Sequence, residues 1–442
     1  MRIQLSDHFS YTRLIRFTLP SVIMMIFTSI YGVIDGIFVS NFVGKTPFAA
    51  INIIWPVLQG LGAVGLMIGT GGSALVSKIL GEGDKKSANR VFSLLVYISL
   101  GLGVIISLLA FILMEPISIA LGAEGEMIQH CVLYGRILIP ALTTFLLQTE
   151  FQSFLVVAEK PNLGLAVTVA AGVTNIVFDA LFIIVFDWGH AGAAAATALS
   201  QAVGGIIPLF YFIFSPSSIL RLGKTKFNGK AILQSCTNGA SEMTTNLSMS
   251  VVNILYNFRL LQTAGEDGVA AYGVIMYLNF IFISIFIGYS VGSAPIISFH
   301  FGAQDTGELK NLFKKSIRLL IFCSLAMTLI GILSAKPLSI IFVGYDSTLL
   351  SMTERGMMIY CISFLFAGIN IFASSFFTAL NNGAVSAALS FLRTLVFQIL
   401  AILILPVIFG LDGIWSAIIA AEGLSLIVSL FFFIKMKRRY QY

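Results

Sequence analysis

Long apolar runs alternate with short polar intervals along the whole chain. The runs cover residues 17–42, 51–76, 91–114, 136–157, 163–186 and 193–214, then 239–261, 271–299, 319–342, 356–378, 384–409 and 414–434. Each, wound as an α-helix at about 1.5 Å per residue, reaches across a hydrocarbon core of about 30 Å. Lipid offers an open backbone no hydrogen-bond partner, so runs of this length predict helices. The expected fold is an all-α polytopic membrane protein with twelve transmembrane helices. One polar interval is longer than the rest, residues 215–230 at the midpoint of the 442-residue chain. It predicts a cytoplasmic linker loop between two six-helix lobes, residues 1–214 and 231–442.

The halves match one another at a constant shift. Moving by 221 residues carries Gly44 to Gly265, Ala49 and Ala50 to Ala270 and Ala271, and Ser77, Gly81 and Asp84 to Ser298, Gly302 and Asp305. The same shift carries Pro116 to Pro337, Ala158 to Ala379, and Gly189 and Gly192 to Gly410 and Gly413. Six spans per half is an even number, so the repeats share one orientation and are related by an axis along the membrane normal. Two such lobes enclose a central site and alternate access by rocking.

Basic residues set the orientation. With the N-terminus cytoplasmic, one side receives Arg2, Arg13, Arg16, Lys78, Lys85, Lys86, Arg90, Lys160, Arg221, Lys224, Lys226 and Lys230. It also receives Lys310, Lys314, Lys315, Arg318, Lys435, Lys437, Arg438 and Arg439. The other side and nearby span ends hold Lys45, Arg136, Arg259, Lys336 and Arg355. By the positive-inside rule both termini are cytoplasmic, in what is expected to be a bacterial plasma membrane. Composition agrees: a mean hydropathy of +0.96 with 10% charged residues excludes an ordinary soluble domain. The net charge of +6 is thereby explained by topology: the basic cluster of residues 215–230 reads first as a solvated cytoplasmic loop, with contact to anionic lipid as the alternative, and membrane lipids rather than nucleic acid are the expected partners. Cys131, Cys236, Cys323 and Cys361 fall singly, without metal or redox spacing. Arg13 and Arg16 precede a first run too long for a signal peptide, and no small-residue cleavage site follows.

Against this apolar background, intramembrane polar residues mark candidate chemistry, because a charge at the bilayer centre costs about 2.5–3.5 kcal/mol or more. Asn175 and Asp179, one helical turn apart, share a face of span five, and Asp35 lies in span one. Thr197, in span six, adds a hydroxyl. Two carboxylates, an amide oxygen and a hydroxyl suit a hard cation such as Na+, and the same cluster suits a proton. Their alternative role is to hold helices together by polar contacts. Pro20, upstream of Asp35, either kinks span one or marks its first turn.

A second set of polar positions predicts a wet cavity. Glu242, Asn246, Asn253 and Asn257 share one stripe of span seven, and Gln148 and Gln152 pair on one face of span four beside Glu150. Met276, Tyr277 and Phe280 of span eight are packing residues or, if they face the cavity, adaptable contacts for organic cations. Glu422 in span twelve is a further buried acid, with Arg259 and Arg393 as candidate charge partners. Enzyme motifs are absent: there is no HExxH, no phosphate-binding GxxxxGK[ST] and no aspartate-rich prenyl-diphosphate motif. No cofactor is expected. Without a nucleotide site, any pumping must be driven by an ion gradient.

These residues resemble the multidrug and toxic compound extrusion (MATE) transporters over nearly the whole chain. The most specific parts are Pro20 with Asp35, the Asn175–Asp179 pair and Thr197. They match the family's amino-terminal cation site and the proline whose helix is proposed to bend during transport. The loops Gly81–Asp84 and Gly302–Asp305 resemble the family's paired GxxD loops, and IYGVIDGIFVSNFVG looks closest to the MepA-like branch of Gram-positive and related bacteria. The resemblance implies a monomeric antiporter that exports cationic or amphipathic drugs in exchange for Na+ or H+. Some relatives carry a second cation site on acids in spans seven and ten. Here Glu242 lies early in span seven, and span ten offers Tyr360 and Asn370 but no mid-span acid. A lipid-linked precursor flippase of the same superfamily is the alternative, though it calls for several basic residues facing the cavity. A membrane receptor that does not transport is the reading from another class.

Overall fold

The computed structural model describes residues 3–216 and 218–442; Arg2, counted above among the basic residues, and Ser217 of the linker lie outside the described residues. Among them the regular structure is entirely helical. The first half contains α1 (Tyr11–Phe42), α2 (Lys45–Gly81), α3 (Lys85–Ala120), α4 (Glu126–Val157), α5 (Pro161–Val185) and α6 (Gly189–Phe214). The second half opens with 74 continuous helical residues, Gly229–Gly302. At 1.5 Å per residue that is about 110 Å, over three times the hydrocarbon thickness. Gly265 interrupts it with φ +65° and ψ −153°, a conformation open to glycine but strained for other residues. We therefore treat it as two spans, α7 (229–264) and α8 (266–302). Then follow α9 (Thr306–Val343), α10 (Ser347–Cys361 and Phe364–Ala379, bent by 47°), α11 (Gly383–Phe409) and α12 (Leu411–Tyr440). This division is compatible with the twelve predicted spans. The helices extend several residues beyond the apolar runs, since polar ends need not stay in lipid.

The 221-residue repeat recurs in the backbone. Positive φ angles fall at Gly44 and Gly265, at Gly83 and Gln304, and at Gly189 and Gly410. Asp84 and Asp305 cap α3 and α9 alike, accepting from the amides of Ser87 and Glu308 at 2.9 Å. The GxxD loops are thus helix-start turns, and hydrogen bonds from Ser87 hold the Asp84 carboxyl below the usual carboxylate range. The linker is less free than a solvated loop. Its Ile219, Arg221 and Gly223 carbonyls accept from Asn89, Ser93 and Tyr97, so it lies along the start of α3.

The two halves meet most closely at the end rich in Lys and Arg. A Cβ at Gly81 would collide with the Phe299 carbonyl, and one at Gly302 with the Lys78 carbonyl. Gly71 and Gly239 bring α2 against α7 in the same way, while Gly292 of α8 rests on Thr18 of α1. Ser298 donates to the Ala74 carbonyl across this seam at 2.5 Å. The N-terminal segment straps the same end. The amides of Leu5 and Phe9 donate to Glu159 and Glu308, each at 2.9 Å.

Candidate ion and substrate sites

The first polar cluster lies in the first half, between α1, α5 and α6. Asp179 closes the α-helical part of α5, after which Ala180–Val185 form a π-helical turn, a feature frequent at functional sites. Asp179 is fully buried, and Asn175 and Thr197 are 2% and 8% exposed. Asp35, half-buried on α1, stands close enough to Asp179 and Asn175 for the side chains to interact. Ser200, one turn from Thr197, donates to the Ala171 carbonyl at 2.8 Å, so this face of α6 looks onto α5. Among the described residues, Asp35 Oδ1, both carboxylate oxygens of Asp179, Asn175 Nδ2 and Thr197 Oγ1 are buried without a hydrogen-bond partner. Buried polar atoms are rarely left unpaired, and a cluster of them suits an ion or proton that comes and goes. Tyr31 and Tyr134 also lie within electrostatic range of these acids, two neighbours the sequence pattern did not single out. Among the described residues no three His, Cys, Asp or Glu side chains converge as a metal site. Pro20 lies nine residues inside α1, which stays helical through it; it does not mark the first turn.

The second site is a cavity of about 360 Å³ between the halves. From the seam its wall starts at Met25 on α1, Ser73 on α2, Glu242 on α7 and Ala294 on α8, and runs toward the Gly265 end. Glu242 and Asn253 of the polar stripe line it, and so do Met276 and Phe280, for which the sequence left packing and cavity lining both open. Asn246, Asn257, Gln148, Gln152 and Tyr277 are not on its wall. The cavity face of α7 runs through Glu242, Thr245, Met249, Val252 and Tyr256, turned slightly from the asparagine stripe. Asn246 folds back to donate to the Glu242 carbonyl at 2.9 Å, and Asn257 is exposed. Gln148 is buried against Gly204, Gln152 is half-buried, and Tyr277 stacks on Phe342 with ring centres 5.6 Å apart.

Chemistry on the far wall comes from α10, α11 and α12. Arg393 Nε donates to Glu422 Oε1 at 2.8 Å, and Asn370 donates to Glu422 Oε2 at 2.7 Å. Ser429 in turn donates to Asn370 Oδ1 at 3.0 Å. Arg393 sits in a second π-helical turn, Leu392–Val396. Tyr256 and Tyr272 stack face to face, ring centres 5.2 Å apart, beside this network. Spacing alone could not pair Arg393 with Glu422, since they lie on different helices 29 residues apart. Arg259, the other candidate partner, has a buried Nε with no partner among the described residues. Glu150 is fully buried on α4, and neither of its carboxylate oxygens has a hydrogen-bond partner among the described residues.

Comparison with known proteins places this architecture. The sequence profile of the MatE family matches residues 20–181 and 242–404, the two repeats in turn. The Multidrug export protein MepA of Staphylococcus saprophyticus is 25% identical over 96% of this chain and 94% of its own length. A multidrug resistance MATE family transporter of the MOP superfamily, solved in an outward-facing conformation, superposes with a TM-score of 0.92. It is 22% identical, with 98% of this chain and 97% of that one covered. A MOP superfamily transporter from Pyrococcus furiosus, whose binding pocket is described as reversed in polarity and suggesting a different function, gives 0.90 at 22% identity and 98% coverage of both chains. Two matched repeats and a curated relative spanning nearly the whole length leave one assignment: the chain belongs to the MatE family, that of the multidrug and toxic compound extrusion transporters.

Proposed function

We propose that this protein is a secondary antiporter exporting amphipathic organic cations in exchange for Na+ or H+. The observation that carries the reading is the separation of two unlike sites in one membrane fold. One is a closed cluster of opposed carboxylates, Asp35 and Asp179, with the neutral oxygens of Asn175 and Thr197. The other is a cavity whose charged wall residues are Glu242, Arg393 and Glu422. Arg393 is matched by Glu422, which leaves Glu242 as the wall's one acid without a basic partner bonded to it among the described residues. Such a wall attracts cations and disfavours the diphosphate headgroup of a lipid-linked precursor.

In this reading an ion entering the first cluster relieves the repulsion between Asp35 and Asp179 and shifts the packing of α1. Both termini and the basic end face the cytoplasm, so the close seam is the inner gate and the cavity opens outward. The lobes are residues 1–214 and 231–442, joined by 215–230, and the protein works as a monomer among membrane lipids. The test is transport in proteoliposomes with Na+ and H+ gradients imposed separately. Wild type should export a cationic dye under at least one gradient, and Asp35→Asn and Asp179→Asn should each abolish that gradient-driven component. Full gradient-driven export in both variants would refute the ion site.

A further inference from the structure

Away from the central cavity, a groove of about 590 Å³ lies between the basic ends of α9 and α12. The two helices run in opposite directions there, α9 starting at that end and α12 finishing at it. Both nevertheless present the same ladder. On α9, Lys310 and Lys314 precede Ile317; on α12, Leu430 and Ile434 precede Lys437. In each helix about 10 Å of rise separates the outermost lysine from the deepest apolar residue. The floor is aromatic and closed: Phe376 of α10 meets the rings of Phe313, Phe433 and Tyr442 at 5.0, 6.0 and 4.8 Å. Lys310, Lys314 and Lys437 are exposed, and their side chains have no ion-pair, hydrogen-bond or ring partner among the described residues. Neighbouring lysines do: Lys315 donates to the Phe9 carbonyl at 2.6 Å, and Lys435 lies over the Phe431 ring. Like charges one turn apart on a helix repel, so Lys310 and Lys314 call for an anion that the protein does not supply.

The first half shows the same backbone filled by protein. At the 221-residue shift, Phe313 and Phe433 correspond to Phe92 and Phe212, and both pairs meet edge to face, at 5.0 and 4.8 Å. There the linker bridges α3 and α6. Leu220 is fully buried in one cluster with Phe92 and Phe212, and the Leu222 amide donates to the Phe212 carbonyl at 3.1 Å. Asn89 and Ser93 bond the linker backbone over residues 219–223. Their counterparts are Lys310 and Lys314, so groups that suit a peptide backbone are replaced by two cations. We propose that the α9–α12 groove binds one anionic phospholipid, with its phosphate among Lys310, Lys314 and Lys437 and an acyl chain along Ile317, Leu430 and Ile434. The order of charge and then apolar surface is the lipid's own, and basic residues at the membrane surface attract anionic headgroups. The site is separate from the export reading and does not depend on it.

The experiment follows lipid retention by the full chain with native mass spectrometry. The micelles hold phosphatidylglycerol and phosphatidylcholine with the same acyl chains. Wild type should retain one phosphatidylglycerol and prefer it to phosphatidylcholine by about tenfold or more. Lys310→Gln, Lys314→Gln and Lys437→Gln should each weaken phosphatidylglycerol binding about fivefold, the effect of one lysine near an anionic surface, and leave phosphatidylcholine unchanged. Lys86→Gln and Lys435→Gln make the same charge change outside the groove and should shift binding by less than about twofold. Inorganic phosphate should not displace the lipid, since it makes no use of the apolar wall. Equal retention of both lipids, equal losses in the two control variants, or full displacement by inorganic phosphate would overturn the site. So would a protein partner that keeps phosphatidylglycerol off wild type and is lost from the three groove variants.

Discussion

Substituting Gly81 by Ala tests the seam between the halves directly. A Cβ at Gly81 would collide with a backbone carbonyl, that of Phe299, and its repeat counterpart Gly302 faces the Lys78 carbonyl. Neither obstacle is a flexible side chain, so relief requires α2 and α8 to move apart. Overpacking of this kind costs about 1–3 kcal/mol, which shifts a two-state equilibrium by about 5- to 150-fold toward the separated seam. Ser77, fully buried and one turn from Gly81 on the same face of α2, is a suitable reporter. In a chain with Cys131, Cys236, Cys323 and Cys361 replaced by Ser, Ser77→Cys should label slowly with a maleimide added from the basic side. Gly81→Ala or Gly302→Ala should raise that rate in proportion to the shift. The double variant should add little to either single one, since both open one crossing. Gly101→Ala and Gly423→Ala, where a Cβ meets nothing within 4 Å, are the controls. Unchanged labelling in both seam variants, or an equal rise in the controls, would show that the glycine contact does not hold this end closed.

Further outcomes follow from the same geometry. Sodium binding to the purified protein, followed by calorimetry, should weaken in Asn175→Ala and Thr197→Ala; unchanged affinity in both would leave the cluster to protons. Glu308→Ala should free residues 3–10, because it removes the acceptor for the Phe9 amide and the His8 ring. An unpaired buried amide costs about 1–3 kcal/mol, so hydrogen exchange there should quicken, and unaltered protection would refute the strap. Asp305→Ala should cost about 1 kcal/mol by removing the cap of α9, whereas Asp305→Asn should retain most of it. Thermal unfolding in detergent compares the two, and equal losses would argue against the cap.

The span pattern, the repeat and the three-helix cluster of Asp35, Asn175, Asp179 and Thr197 were legible because each leaves a one-dimensional trace. A polar residue in an apolar run is conspicuous wherever it packs. The cavity wall was only half legible. On α7 the asparagines suggested a stripe, yet the exposed and cavity faces differ by a fraction of a turn, and Asn246 satisfies itself on its own helix. Arg393 and Glu422 were each visible as costly residues. Their pairing depends on how α11 and α12 cross, which periodicity does not encode. Tyr31 and Tyr134 left no trace at all, since a tyrosine in a chain with 38 phenylalanines reads as packing.

The repeat also explains why the two halves do different work. At the 221-residue shift the counterparts of Asp35, Asn175 and Asp179 are Tyr256, Val396 and Leu400, so the second half lacks the carboxylate pair. Conversely, Arg393 corresponds to Gly172 and Glu422 to Gln201. Gly172 leaves room that the rings of Phe27 and Tyr31 fill, with a Cβ there meeting Phe27 Cε1 at 2.5 Å. The counterparts of those rings are Ser248 and Val252, too small to fill the equivalent space. The arginine of the second half thus stands at the position where the first half has a glycine closed over by Phe27 and Tyr31. The same backbone repeat thus holds a closed, aromatic-capped acid pair on one side and an open, charge-paired wall on the other. Under the antiport proposed above, that division would put the ion and the exported compound on separate sites, coupled through the packing of α1 against α8 rather than through direct contact.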